Sequence, residues 1–218
     1  MEGSGESRAP SRSGRYIIWG APGSGSGIVE AACAELGVDH EVRDLDARND
    51  EHRGEAYRAL NPHRKMPTLE VGDEVITESV AILLTLDERH PEGRLLPLPG
   101  SPERAQALRW MLYLATELYP LVEWDDFPER FTGSPEAATA LRERARAITR
   151  ERWRTLEAAI AGPYLLSSGF SATDLYITKL AVWQDEAFRR AELPKVHALT
   201  EAVRARPKLA KVWARHIR

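Results

Sequence analysis

Asn61-Pro-His-Arg-Lys-Met-Pro-Thr-Leu69 and, shortly after it, Thr77-Glu-Ser-Val-Ala-Ile82 are the most informative stretches of this 218-residue chain. Pro67 stands where a strand begins; it removes one ladder donor and holds Met66 extended. A cis Met66-Pro67 bond would turn the Met66 main chain outward with its N–H and C=O unpaired. Such an edge can pair antiparallel with a short peptide. Glu78-Ser79 then opens a helix, where main-chain N–H groups and the Ser79 hydroxyl favour a carboxylate, and Glu78 can accept from an ammonium. Together these groups suit a small peptide with an α-amino acid head and a central amide. Each alone has an ordinary explanation, a strand start or a helix cap. Their order and spacing behind the elements that precede them carry the reading.

Upstream, residues 15–20 form an apolar and aromatic run that reads as a buried strand. The loop Ala21-Pro-Gly-Ser-Gly-Ser-Gly27 follows, then a helix marked by Val29, Ala32, Cys33 and Leu36 and stopped at Gly37. His40–Asp44 is a second strand, and 51–60 a short helix broken at Asn61-Pro62. Met66–Val71 and Glu74–Ile76 are two strands joined by a Gly72-Asp73 turn. A helix through Val80, Leu83, Leu84 and Asp87 ends before Pro91. The order β-α-β-α-β-β-α predicts an α/β layer structure. Downstream, 94–102 is a Pro/Gly-punctuated linker, and from Glu103 onward only helices are expected, over 103–124, 135–161, 172–190, 194–205 and 208–216. The expected division is a disordered tail (1–14, without a large apolar residue after Met1), an α/β domain (15–93), the linker (94–102) and an all-helical domain (103–218).

Composition narrows the function. Thirty basic and 33 acidic residues leave a net charge of -3, so no bulk field recruits nucleic acid or an anionic membrane. No apolar run reaches the ~18 residues of a membrane span, and no signal peptide is expected. The single Cys33 rules out an internal disulfide and suits a reducing cytoplasm. The six histidines never fall at metal-ligand spacing, so no metal is expected.

The pattern N-P-x-x-K-M-P-T-L followed by T-E-S-x-A-I-L resembles the glutathione-site signature of the glutathione transferase family, cytosolic and bacterial-like in type, and residues 15–216 fit its two-domain plan. The resemblance implies a thioredoxin-like N-terminal domain ahead of a helical bundle. It implies that Pro67 is cis, that the Met66 main chain pairs with the cysteinyl part of glutathione, and that Glu78 and Ser79 hold the γ-glutamyl head. Lys65 would lie near the glycyl carboxylate, with His63 in assistance. Gly169-Phe-Ser-Ala-Thr-Asp174 is similar to the family's capping box, with Ser171 as N-cap, Asp174 at N3 and Phe170 placed to staple onto Leu175. The resemblance further implies conjugation of reduced glutathione to a small hydrophobic electrophile, in a homodimer. Trp110, Tyr113, Glu117 and Trp124 are the candidates for the electrophile pocket.

The thiol-activating residue departs from the family pattern. Counted back from Gly37, the serine position of theta- and zeta-like classes falls on Gly23, and the cysteine position of the beta-like class on Gly25. Ser24, then Ser26, are the candidate catalytic donors, or else helix caps; main-chain N–H groups of the loop are a further donor set. G-x-G-x-x-G is incomplete, because Ile28 stands where the third glycine belongs. C-x-x-C is absent, and Cys33 lies on the apolar face of its helix. Two alternatives stay open: a glutathione-dependent isomerase or reductase, and a non-catalytic glutathione-binding regulatory module.

Overall fold

The computed structural model describes residues 14–217. The expected tail at 1–14 therefore lies, but for Gly14, outside the described residues.

The N-terminal half is a four-stranded mixed sheet in the order β2-β1-β3-β4, with β1 Tyr16–Gly20, β2 His40–Asp44, β3 Thr68–Val71 and β4 Glu74–Thr77. β1 runs parallel to β2 and antiparallel to β3, which pairs antiparallel with β4 through the Gly72-Asp73 turn. The crossover between the parallel strands carries α1 Ser26–Leu36, as a parallel pair requires. Gly37 ends that helix at φ 72°, and its N–H and that of Val38 close back on Ala34 and Cys33. α2 Glu55–Leu60 follows two short 3₁₀ turns, and α3 Ser79–Arg89 completes the expected β-α-β-α-β-β-α order. This is the thioredoxin-like architecture.

The second half is all helix: α4 Pro102–Tyr113, α5 Tyr119–Asp126, α6 Pro135–Ala159, α7 Ala172–Ala181, α8 Glu186–Glu192, α9 Pro194–Arg204 and α10 Ala210–His216. The single helix expected over 172–190 is two. α7 stops at Ala181, and Asp185 caps a separate α8 by accepting the Phe188 N–H at 2.9 Å.

The helix expected over 103–124 is also interrupted. A π-helical turn, Leu114–Leu118, joins α4 to α5, with Tyr119 N–H donating to Leu114 O five residues back. Pro120 gives the cause: it has no N–H, and its ring would collide with the carbonyl four residues earlier in a regular helix. The widened turn removes that collision.

α7 is buried along its whole length and lies at the centre of the molecule. Its capping box is present, with Ser171 N donating to Asp174 Oδ2 at 2.7 Å. Asp174 Oδ1 also accepts Leu165 N–H at 2.8 Å. Burial pushes the Asp174 carboxyl up to about 6, while these donors pull it down. The apolar core is continuous across the two halves, from Ile18 and Ile28 through Leu95 and Met111 to Leu175 and Trp213. The 94–102 segment is tied down between them: Leu95 and Leu96 are buried, and Asp87 accepts both Leu96 N–H and the Arg104 guanidinium.

Candidate functional site

A cavity of about 1500 Å³ opens between the two halves. The 21–25 loop, Lys65–Pro67 and Glu78-Ser79 line it from the sheet side; α5, Tyr176 and Trp183 line it from the helical side. Its size exceeds the ~300–1,000 Å³ of a pocket for one drug-sized ligand, so it has room for a tripeptide and a second molecule together.

The Met66-Pro67 peptide bond is cis. The β1–β3 ladder ends at Trp19 and Thr68, so Met66 lies outside it, and the residue lines the cavity. Below it, Tyr57 Oη and the Asn61 amide both donate to Lys65 O, at 2.8 and 2.7 Å, and fix the approach. Glu78, at the start of α3, has φ 64°. That conformation is costly for a residue with a side chain and is typical of functional positions. Ser79 Oγ lies 2.9 Å from Tyr176 Oη, so α7 of the helical half fixes the first turn of α3. Lys65 Nζ pairs with Glu123 Oε2 at 2.7 Å across the cavity mouth, and His63 lines the same rim. The six residues expected at a glutathione site thus converge on one cavity.

The glycine-rich loop is fixed from the other half of the chain. Gly23 N–H donates to His216 Nδ1 at 3.2 Å, and Gly23 O accepts from Lys179 Nζ at 2.8 Å and Trp183 Nε1 at 3.1 Å. Because Nδ1 of His216 accepts, the proton of the neutral ring sits on Nε2. Nε2 lies 2.9 Å from Glu30 Oε1, though off the line of an ideal hydrogen bond. Burial works against the Glu30 charge, but His216, Ser26 and Arg215 outweigh it and hold this carboxyl below its ordinary range. Gly27 is a glycine because a Cβ there would come within 2.8 Å of the His216 ring. Gly25 has φ −61° and ψ −15°, which any residue adopts. What excludes a side chain is Tyr119: a Cβ on Gly25 would lie 2.0 Å from its hydroxyl and 3.3 Å from Met66 O.

Of the two serines expected as thiol donors, Ser24 lines the cavity and Ser26 is turned inward. Ser26 is fully buried, does not line the cavity, and donates to Glu30 Oε1 at 2.9 Å. A hydroxyl has one proton, so the 2.9 Å contact between Ser24 Oγ and Ser26 Oγ takes the proton of Ser24. Ser24 Oγ also accepts the N–H groups of Ala21 and Ser26. Both hydroxyl protons are therefore committed to a Ser24→Ser26→Glu30 chain that builds the loop.

None of the four electrophile-pocket candidates lines this cavity. Trp110 is in the core, Tyr113 donates to Arg152 O at 3.0 Å, Glu117 pairs with Arg152, and Trp124 meets the Phe131 ring. The cavity is lined instead by Leu112, Ala115, Thr116, Tyr119 and Glu123. Cys33 is a core residue as expected; burial pushes its thiol up to about 12. Among the described residues no group of three or more His, Cys, Asp or Glu side chains could hold a metal ion, and no helix is long and apolar enough to cross a membrane.

A thioredoxin-like sheet with a cis-proline edge, capped by a helical half that closes a cleft over it, defines a class of two-domain proteins with a peptide-sized slot. The comparisons agree. Residues 26–89 match the family profile "Glutathione S-transferase, N-terminal domain". The chain is 28% identical over 205 residues to the uncharacterized GST-like protein YncG of Escherichia coli K12, covering 91% of this chain and 97% of that one. It is 35% identical over 108 residues to maleylacetoacetate isomerase of Dictyostelium discoideum, about half of each chain (49% and 48%). A solved glutathione transferase homolog from Sulfitobacter, with bound glutathione, superposes with a TM-score of 0.85 at 22% identity, over 94% of this chain and 100% of that one. Residues 26–89 thus carry the N-terminal domain of a glutathione S-transferase, and the chain is similar over nearly its whole length to a GST-like protein.

Proposed function

We propose that this chain binds reduced glutathione at the Met66 edge and adds its thiolate to a small hydrophobic electrophile held against α5. The observation that carries the reading is Met66, outside the ladder beside a cis proline and lining the same cavity as the start of α3. In this reading Met66 pairs with the cysteinyl main chain, while Glu78 takes the glutamyl ammonium and the α3 start with Ser79 takes its carboxylate. If Tyr176 donates to Ser79, the Ser79 proton is available to that carboxylate. Lys65, released from Glu123, meets the glycyl carboxylate; an exposed pair of this kind is worth only about 0–1 kcal/mol, so the exchange is easy. Holding both reactants in one cleft supplies orientation, and donors aimed at the sulfur supply the charge stabilisation.

Titration calorimetry with reduced glutathione tests the first half. One site per chain is expected, and no heat of binding by the folded protein sinks the proposal. Turnover on a panel of electrophiles, with maleylacetoacetate included because of the half-length isomerase likeness, tests the second. A binding module without turnover is the other reading, favoured by the committed serine protons. Binding with no turnover on any member of the panel would select it.

A further inference from the structure

We propose that the Tyr119 hydroxyl, delivered from the helical half into the space that Gly25 leaves open, is the hydrogen-bond donor to the glutathione sulfur. The assignment rests on the glutathione reading above and adds to it the group that activates the thiol.

Three observations carry it. The first is place. The position a side chain on residue 25 would occupy is taken by Tyr119 Oη, and the same point lies 3.3 Å from Met66 O. A peptide residue paired with the Met66 main chain therefore extends its own side chain toward this hydroxyl. The second is the proton inventory. Ser24 and Ser26 have committed their protons to the chain that ends at Glu30. Tyr119 Oη has no hydrogen-bond partner among the described residues and lines the cavity. The third is the main chain. From Gly23 to Ile28, only Gly25 N–H lacks a protein acceptor among the described residues, so a second donor stands beside the phenol at the start of α1.

The local chemistry suits a donor and not a base. Burial raises the Tyr119 phenol above its ordinary range, with Tyr176, Glu123 and Glu78 adding to the effect. It thus keeps its proton at any pH where the protein works. The thiol proton leaves to solvent through the cavity, the sulfur keeps the electron pair, and Tyr119 O–H points its own proton at that pair without giving it up. A neutral O–H and a main-chain N–H converging on one anion is an oxyanion-hole arrangement applied to sulfur.

The test is the ultraviolet thiolate absorbance of protein-bound glutathione, titrated with pH. The wild-type chain is expected to hold the thiol below its free value of ~8.5. Tyr119→Phe keeps the ring and its packing and should raise the bound thiol by about one to two pH units, the loss expected for a hydrogen bond to a charged group. Affinity at acidic pH, where the thiol is protonated in both proteins, should stay the same. Gly25→Ala, which displaces the phenol without altering it, should give the same rise, and the double variant no further rise. A Tyr119→Phe chain whose bound thiol titrates with the wild type overturns the proposal while leaving glutathione binding standing. Additive shifts in the double variant also overturn it. Absence of glutathione uptake by the wild-type chain overturns both readings together.

Discussion

Lys179 is fully buried, with its ammonium 4.7 Å from the Trp183 ring centre and donating to Gly23 O. Burial pushes this lysine down from 10.5 to about 8, against the pull of Glu30. Its folded value lies below its unfolded one, so between these two pH values the unfolded chain holds a proton that the folded chain lacks. Stability therefore gains with rising pH across that window, by up to about 1.4 kcal/mol per pH unit, and the gain is lost as pH falls through 8. Denaturant unfolding of the wild type and of Lys179→Met, compared at a series of alkaline pH values, should show the rise in the first and not in the second. Nothing local in the sequence pointed to this residue. A lysine in a helix pattern reads as a wet face, and the arrival of Gly23 O and His216 O beside it makes burial tolerable. Cys33, by contrast, was legible from spacing alone, because its partners lie on the same helix face.

Among the elements, α7 was read most fully. Ser171 and Asp174 announce its start through a pattern whose parts are three residues apart and whose chemistry is local. Asp174→Ala would leave the N–H groups of Ser171 and Leu165 without an acceptor in a buried place. A loss of about 2–4 kcal/mol is expected, from the cap together with unsatisfied donors, and chemical denaturation followed by circular dichroism would measure it. The α4–α5 segment was read least well. Trp110, Tyr113, Glu117 and Trp124 were chosen for the cavity by residue type along a helix taken as regular. The residues that reach the cavity follow 112, 115, 116, 119 and 123, the neighbouring stripe. Pro120 in mid-helix was the visible signal that the regular phase fails here, and it marks the π-helical turn just ahead of Tyr119. In the same way, Asp185 followed by Phe188 was a cap signal that divides 172–190.

Across the whole molecule, the order of elements in the N-terminal half was legible from successive local patterns, and the cis-proline edge and the start of α3 each from one short stretch. The shape of the 21–27 loop was not, because its reasons lie in the helical half: His216 against Gly27, Tyr119 against Gly25, Lys179 and Trp183 on Gly23. α10 is thus part of the site although it does not line the main cavity. His216→Ala would remove a buried ring and leave Gly23 N–H unpaired. It should cost about 2–4 kcal/mol of stability and weaken glutathione uptake even where the chain remains folded, as parallel denaturation and calorimetry would register. The contest between residue 25 and the phenol has a historical side as well. Only one of them can fill that volume, so the two positions are bound to each other in descent. A lineage gaining a thiol or hydroxyl at residue 25 would need to give up the tyrosine in the same step or pass through a crowded intermediate. This arrangement, once reached, is hard to leave by single changes.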